Sequence, residues 1–506
     1  MVFVPPDEMP RCAVVDLGSN SVRLVVYEGR SRNPVVIFNE KAVLRLGRGL
    51  QATGRLNADG VTQALIVLRR YHAVARAMGA APMEVLATAA VRDAANGAAF
   101  VEALRRRMPG VPIRVLTGAE EAEFSALGVL CGIPEADGIL ADIGGGSLEL
   151  ARLTPEAGAA ATWSLKLGLI RLAERAGGDV ARARTIAEDD LADVPWLGEG
   201  AGKDLYLVGG AWRAFARLHM TQTAYPLHMV HQYTIDADEA RELAAMVAGA
   251  GRRALERLPG VPRKRIEDLP FAAVVLRRVL RASGARRVVF SASGLREGWF
   301  MRRMPPDLRA EDPLIAAGRA YASKLGRDPT LGPAMIAWTA PLFPRESQDA
   351  ARLRLALCWM SDLGSHDHPE FRAEQAFWRV LRQPGLGLDH HARGFLALAI
   401  AIRYEVDPDA RFLHTARMLL DVASARRAEV LGSALRLAYT LSAGTPDLLA
   451  STAISIVGGR LVLRLVEEAG VFAGDSVLRR LDRLAQAMGL EAGVELSGPG
   501  AGPLFE

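Results

Sequence analysis

The sequence predicts an α/β chain built of two related halves, followed by a helical segment and a small α+β module. Three observations carry this reading. The stretch Asp16-Leu17-Gly18-Ser19-Asn20-Ser21-Val22-Arg23 returns as Asp142-Ile143-Gly144-Gly145-Gly146-Ser147-Leu148-Glu149. Strand-like and helix-like patterns alternate from about 12 to 303. From Met304-Pro305-Pro306-Asp307 to about 440 the apolar residues fall at helical spacing.

The first half opens with a hairpin around 12 to 27, in which Ala13-Val14-Val15 leads into the loop and Val22, Leu24 and Val26 alternate after it. A strand near 35 to 46, an amphipathic helix about 58 to 79 and a strand about 83 to 87 follow. A helix about 95 to 107, a strand near 113 to 116 and a helix from about 119 close this half. Cys131-Gly132-Ile133-Pro134-Glu135 is the first convincing break. A second hairpin then starts at Ile139-Leu140-Ala141 and continues through Leu148 and Leu150, with further strands at Tyr206–Val208 and Val288–Ser291. Near the end, Ile454 and Ile456, then Leu461, Leu463 and Leu465, flank Gly458-Gly459 as another hairpin, before a helix about 475 to 488. The expected divisions are 1–135, 136–304, 305–440 and 441–506, and the tail from Ser497 is expected to be loose.

The repeated loop carries chemistry. Gly18, Gly144, Gly145 and Gly146 are expected to let the backbone turn its N–H groups inward as an anion nest around Gly18-Ser19-Asn20-Ser21 and its second copy. Ser21 and Ser147 add hydroxyl donors. Asp16 and Asp142, at the loop entrances, can hold a hydrated Mg²⁺ or another divalent cation against bound phosphate, since this hard ion is usually held by one or two carboxylates plus phosphate oxygens. A single Gly-rich stretch reads equally well as a tight turn. Two copies sharing the acid, the glycine two residues on and the serine five residues on favour a phosphate-binding pair.

Other residues extend the site. A carboxylate is needed to orient and deprotonate an attacking water. Glu120 and Glu121 both fall in the first turn of a helix, where negative charge is also favoured by the dipole, so the residues alone do not choose between them. Glu149 follows Ser147 on the second hairpin, where the first copy has Arg23, so it can reach the metal or its water. Gly209-Gly210, between a strand and a helix, forms a third anion-binding candidate. Thr88 with Arg92, and Gly47-Arg48-Gly49, are phosphate contacts or ordinary loops. The histidines at 366, 368, 390, 391 and 414 show no recognised metal spacing.

Composition narrows the class. The 62 basic residues exceed the 57 acidic ones, and lysine occurs only at 41, 166, 203, 264 and 324. This Arg-rich balance permits a polyanionic partner. Cys12, Cys131 and Cys358 are too few and too scattered for a disulfide framework, which fits a reducing, cytoplasmic setting. The longest apolar run, Phe395–Ile402, is far too short to span a bilayer. Neither stable membrane insertion nor a nucleic-acid partner is expected.

The two Asp-x-Gly-x-x-Ser hairpins, the intervening Gly118-Ala119-Glu120-Glu121-Ala122, the later Gly209-Gly210-Ala211-Trp212-Arg213 and the closing Ser293-Gly294-Leu295-Arg296-Glu297-Gly298 resemble the exopolyphosphatase and guanosine pentaphosphate phosphohydrolase family. That resemblance implies two ribonuclease-H-like (actin-like) domains with a site in their cleft, then an all-α HD-like domain and a small α+β C-terminal domain. It implies Glu121 as general base, Asp142 and Glu149 as metal and water ligands, Asp16 as support for the first loop and Arg92 as a phosphate contact. Ser361-Asp362 stands where a working HD site would have His-Asp, so that domain is expected to guide the polyanion or form a homodimer interface. The implied reaction is Mg²⁺-dependent removal of the terminal phosphate of inorganic polyphosphate. The alternatives are 5′-phosphate hydrolysis of guanosine pentaphosphate (pppGpp), with ppGpp a possible partner, and a non-catalytic polyphosphate or alarmone sensor.

Overall fold

The computed structural model describes residues 11–29, 31–155, 158–385, 387–466 and 474–497. The tail beyond Ser497 lies outside them. The chain divides into two compact units, Met1–Ala310 and Glu311–Glu506.

The first unit contains two mixed sheets of the same plan. Strands β1 (Cys12–Leu17), β2 (Ser21–Tyr27), β3 (Val36–Val43), β4 (Met83–Ala87) and β5 (Ile113–Val115) form a sheet in the order β3-β2-β1-β4-β5. Strands β6 (Gly138–Ile143), β7 (Leu148–Thr154), β8 (Gly158–Leu165), β9 (Asp204–Val208), β10 (Tyr233–Asp236) and β11 (Arg287–Phe290) form the second, in the order β8-β7-β6-β9-β11-β10. In each sheet the first two strands are an antiparallel hairpin, and the first strand pairs in parallel with the next strand across, β4 or β9. The duplication read from the loops is therefore a duplication of topology. Strands β8 and β10 were not foreseen: β8 has small residues and β10 only four, so neither carries a strong apolar period.

Alternation along β1 sorts its side chains to two faces. Ala13, Val15 and Leu17 enter a core with Leu68, Tyr71 and Phe100, while Cys12 and Val14 enter one with Phe124, Trp299 and Phe300. The second core places the helices Gly118–Gly132 and Leu295–Arg302 against the back of the sheet and against each other. Their approach depends on missing side chains. A Cβ at Gly128 would lie 1.9 Å from the Gly294 carbonyl oxygen, and one at Gly298 would lie 1.7 Å from that of Phe124. The second sheet packs Leu205 and Leu207 with the fully buried Trp212 and the helix Leu269–Ser283.

In the second unit, helices run from Pro313–Leu325 to Pro446–Ala450, somewhat past the helical pattern read from the sequence. Strands β12 (Thr452–Val457) and β13 (Arg460–Val466) form the expected hairpin, the helix Asp475–Met488 follows, and β14 (Glu491–Ser497) adds in parallel to β13. The strand β14 was not foreseen, because Glu-Ala-Gly-Val-Glu-Leu-Ser has little apolar content. Asp362 is buried here, with Arg327 donating from Nε and Nη2 at 3.0 and 3.1 Å and Arg403 Nη2 at 3.6 Å. No helix among the described residues is long and apolar enough to cross a membrane. The three cysteines are buried and none of them is in a disulfide.

Candidate active site

Both repeated loops are hairpin turns closed in the same way. Gly18 N donates to Ser21 O at 3.1 Å, and Gly144 N donates to Ser147 O at 3.0 Å. The register sets Asp16 opposite Arg23 and Asp142 opposite Glu149, so the two entrance acids have cross-strand partners of opposite charge. None of Gly18, Gly144, Gly145 and Gly146 adopts a positive φ, contrary to the expected reason for glycine. At Gly145 and Gly146 close approach is the reason instead. A Cβ at Gly146 would lie 2.6 Å from Ser19 Oγ and 3.0 Å from Ala89 Cβ, and one at Gly145 would lie 3.3 Å from Ser19 Cβ. The amides of Ser19, Asn20, Gly145 and Gly146 have no hydrogen-bond partner among the described residues, so they are available to an anion.

The third glycine turn does require a special backbone. Gly209 has φ +124, follows β9 and caps the helix Gly210–Gln222. A Cβ there would meet the Ile143 carbonyl oxygen at 2.6 Å.

These loops line one cavity of about 190 Å³. Its wall includes Asp16, Gly18, Ser19, Asn20, Ser21, Glu121, Asp142, Gly144, Gly145, Gly146, Ser147, Gly209 and Gly210. Arg92 and Glu149 stand behind that wall. Arg92 Nη1 donates to Leu116 O at 2.9 Å and to Glu121 Oε2 at 3.1 Å. Glu149 is buried and accepts from Ser164 Oγ at 3.1 Å.

Local hydrogen bonding separates the two glutamates that sequence could not. Glu120 closes a capping box with Thr117, accepting from Thr117 N at 2.8 Å, and takes Arg114 Nη2 at 2.7 Å. Its carboxylate is fully used by the helix end. Glu121, one residue on, lines the cavity and, among the described residues, takes a hydrogen bond from Arg92 alone.

Of the four acids, Glu121 and Glu149 are buried and Asp16 and Asp142 half-buried. Burial, and then the nearby Glu149, push the Glu121 carboxyl well above its usual range, against the pull of Arg92. Burial pushes Glu149 up to about 8. Burial also raises Asp142, opposed by a hydrogen bond from Ser125 Oγ at 2.5 Å, and the charge of Asp16 adds to the rise. Asp16 is raised by burial and stabilised as an anion by Arg296, whose Nε is 4.0 Å away.

Facing this group are cations that sequence reasoning did not assign to the site: Arg23, Lys41, Arg213, Arg265 and Arg296. Arg23 and Lys41 lie directly opposite each other on β2 and β3, an arrangement of like charges that costs free energy without an anion. Burial and the surrounding arginines, Arg265 first, lower the Lys41 ammonium to about 8. Burial and Arg296 lower Arg213 to about 10. The available signals were Arg23 in the first loop and Arg296 in the Ser-Gly-Leu-Arg-Glu-Gly segment. Lys41 had none, and Arg265 belongs to the basic run Arg263-Lys264-Arg265 beside the turn Pro259–Pro262, which by sequence reads as a solvated face, whereas the fold brings Arg265 to the cavity wall.

Residues 25–306 match the Ppx/GppA phosphatase family, and residues 314–494 match the exopolyphosphatase C-terminal family. The chain belongs to the Ppx/GppA phosphatase family. Among curated relatives of this Ppx/GppA chain, exopolyphosphatase 2 of Mycobacterium tuberculosis is 27% identical over 300 residues, covering 54% of this chain and 91% of that protein. A crystal structure of an exopolyphosphatase from Cytophaga hutchinsonii aligns with a TM-score of 0.51 at 21% identity, over 57% of this chain and 96% of its own. The Aquifex aeolicus Ppx/GppA structure aligns with a TM-score of 0.50 at 23% identity, over 57% and 96%. The two α/β sheets of Met1–Ala310 thus have the actin-like fold of the Ppx/GppA family.

Proposed function

We propose that this protein is a Mg²⁺-dependent exopolyphosphatase, releasing orthophosphate from the end of inorganic polyphosphate. One observation carries the reading: two facing phosphate loops, a cavity carboxylate at Glu121 and five cations share a single cavity. The family membership and the exopolyphosphatase relatives support the same chemistry.

The terminal phosphate sits between the loops, taken up by the free amides of Ser19, Asn20, Gly145 and Gly146 and by the hydroxyls of Ser21 and Ser147. Glu121 accepts a proton from the water that attacks phosphorus, and its raised proton affinity suits that role. The shortened chain leaves as an anion, and Arg23, Lys41, Arg213, Arg265 and Arg296 balance the charge of it and of the phosphates beyond. Catalysis of phosphoryl transfer is mainly such positioning and neutralisation.

Among the described residues no three His, Cys, Asp or Glu side chains converge as a cage for a metal ion. Two half-buried, mutually repelling aspartates, Asp16 and Asp142, at the entrances of the phosphate loops fit a hydrated Mg²⁺ that completes its shell with water and phosphate oxygens. Glu149 would act on that shell from behind. When bound, the ion supplies further charge neutralisation on the phosphate.

The test is phosphate release from long-chain polyphosphate and from guanosine pentaphosphate, with and without Mg²⁺. Release from polyphosphate is expected to need the ion and to fall about 10²- to 10⁴-fold in Glu121→Gln, with polyphosphate still bound. Preferential cleavage of the nucleotide would replace the proposed substrate. Binding of both without cleavage of either would make the protein a sensor.

A further inference from the structure

The cavity is bordered by two very different connections between the halves of Met1–Ala310. At its back, the helices Gly118–Gly132 and Leu295–Arg302 meet backbone to backbone at Gly128 and Gly298, and no side-chain rearrangement can loosen such a contact. At its front, two polar contacts cross from the first half to the helix Leu169–Arg175 of the second. Arg171 Nη2 donates to Asp93 Oδ2 at 2.7 Å, and Gly49 N donates to Glu174 Oε1 at 2.8 Å. Water can replace both. Solvent reaches this pair from the Asp93 side, which is 28% exposed, and parting it disrupts no backbone packing, so the front is the side that opens.

The front contact reaches the reacting groups at both of its ends. On one end, the helix Leu169–Arg175 is pinned to the second phosphate loop: Leu169 N donates to Gly144 O at 3.0 Å, and Ile170 N and Arg171 N donate to Gly145 O at 3.0 and 3.2 Å. On the other, Asp93 Oδ1 is 3.3 Å from Arg92 Nε, and Arg92 Nη1 holds Glu121 Oε2 at 3.1 Å. Arg171 is buried, which commits its guanidinium to this geometry.

We propose that Asp93 and Arg171 are positioning residues that form a closure latch, which, through Arg92, sets the carboxylate of Glu121 only when the second phosphate loop has come up against the first. Phosphate seated between the loops draws the halves together, the Asp93–Arg171 pair forms, and Arg92 is fixed from both sides. In the open form Asp93, released by Arg171, is free to draw the neighbouring Arg92 guanidinium to itself, and Glu121 loses its orientation. The device prevents an unfilled site from holding an aligned base. It rests on the reading of Glu121 as the base of a phosphohydrolase.

The experiment uses the full chain and the variants Arg171→Ala, Arg171→Lys and Asp93→Asn, each alone and with Glu121→Gln. With long-chain polyphosphate, Arg171→Ala and Asp93→Asn are expected to lower kcat roughly ten- to hundred-fold with KM changed far less. Arg171→Lys should recover part of the loss. In the Glu121→Gln background, Arg171→Ala should cause no further loss, because the residue acts through Glu121. An equal loss in both backgrounds, or a rise in KM alone, overturns the proposal. Hydrogen exchange of residues 169–175 with tripolyphosphate supplies a readout independent of turnover. Slowing in the unsubstituted protein that disappears in Arg171→Ala supports the latch, and slowing retained in Arg171→Ala overturns it. A chain that releases no phosphate yet shows this exchange pattern would overturn the exopolyphosphatase reading and leave standing only the Asp93–Arg171 closure contact, without its role in setting a base.

Discussion

At the residue scale, the site is a set of charges whose cost is visible in the absence of substrate. Lys41 opposite Arg23 is the clearest case, with its ammonium lowered to about 8 by burial and by neighbouring arginines. A bound polyanion favours the protonated amine, so affinity is fully present below pH 8. It falls as pH rises through that value, because binding must then take up a proton. Tripolyphosphate titrated calorimetrically at pH 7 and pH 9 is expected to bind up to about tenfold more weakly at the higher pH, and Lys41→Met should flatten that dependence. A dependence unchanged in Lys41→Met would remove Lys41 from the binding surface. Glu121 was legible as one of a pair of acids in a helical first turn. Choosing it over Glu120 on physical grounds needed the capping box, which ties Glu120 to Thr117 and Arg114.

At the element scale, the two loops are alike in sequence and in hydrogen bonding, yet Gly145 and Gly146 serve proximity rather than backbone freedom. Sequence shows that a residue lacks a side chain and does not show what would occupy its space. Gly146→Ala would drive a methyl group to 2.6 Å from Ser19 Oγ, forcing the two loops apart. We expect a rise in KM for polyphosphate of about tenfold or more with the melting temperature little changed, since the loop lies at the cavity wall and not in a core. Normal KM in this variant would mean that the loops need not approach so closely. Arg92 illustrates the same limit. Its position after β4 was legible, but its engagement with Leu116 O and Glu121 rather than the cavity wall depends on residues 24 and 29 positions further along the chain.

For the whole molecule, every residue lining the cavity lies between Asp16 and Arg296, inside the compact unit Met1–Ala310. A fragment of residues 1–310 is therefore expected to fold and to release phosphate from tripolyphosphate at a kcat within about tenfold of the full chain. A folded fragment with no activity would show that Glu311–Glu506 contributes to chemistry. What the sequence determined by itself was the pattern that repeats within a short window: the duplicated hairpins, the alternation of strand and helix, the apolar periods of the long helices, and the acids and glycines at fixed offsets. These are local, because backbone geometry ties a strand to a period of two and a helix to one of 3.6. Tertiary structure alone decided the rest. It gathered Lys41, Arg213, Arg265 and Arg296 from four separate elements, placed Glu149 behind the wall, added strands β8, β10 and β14, and joined Asp93 to Arg171. Each of these is a contact between segments far apart in the chain, set by how whole faces pack, and no local spacing encodes it.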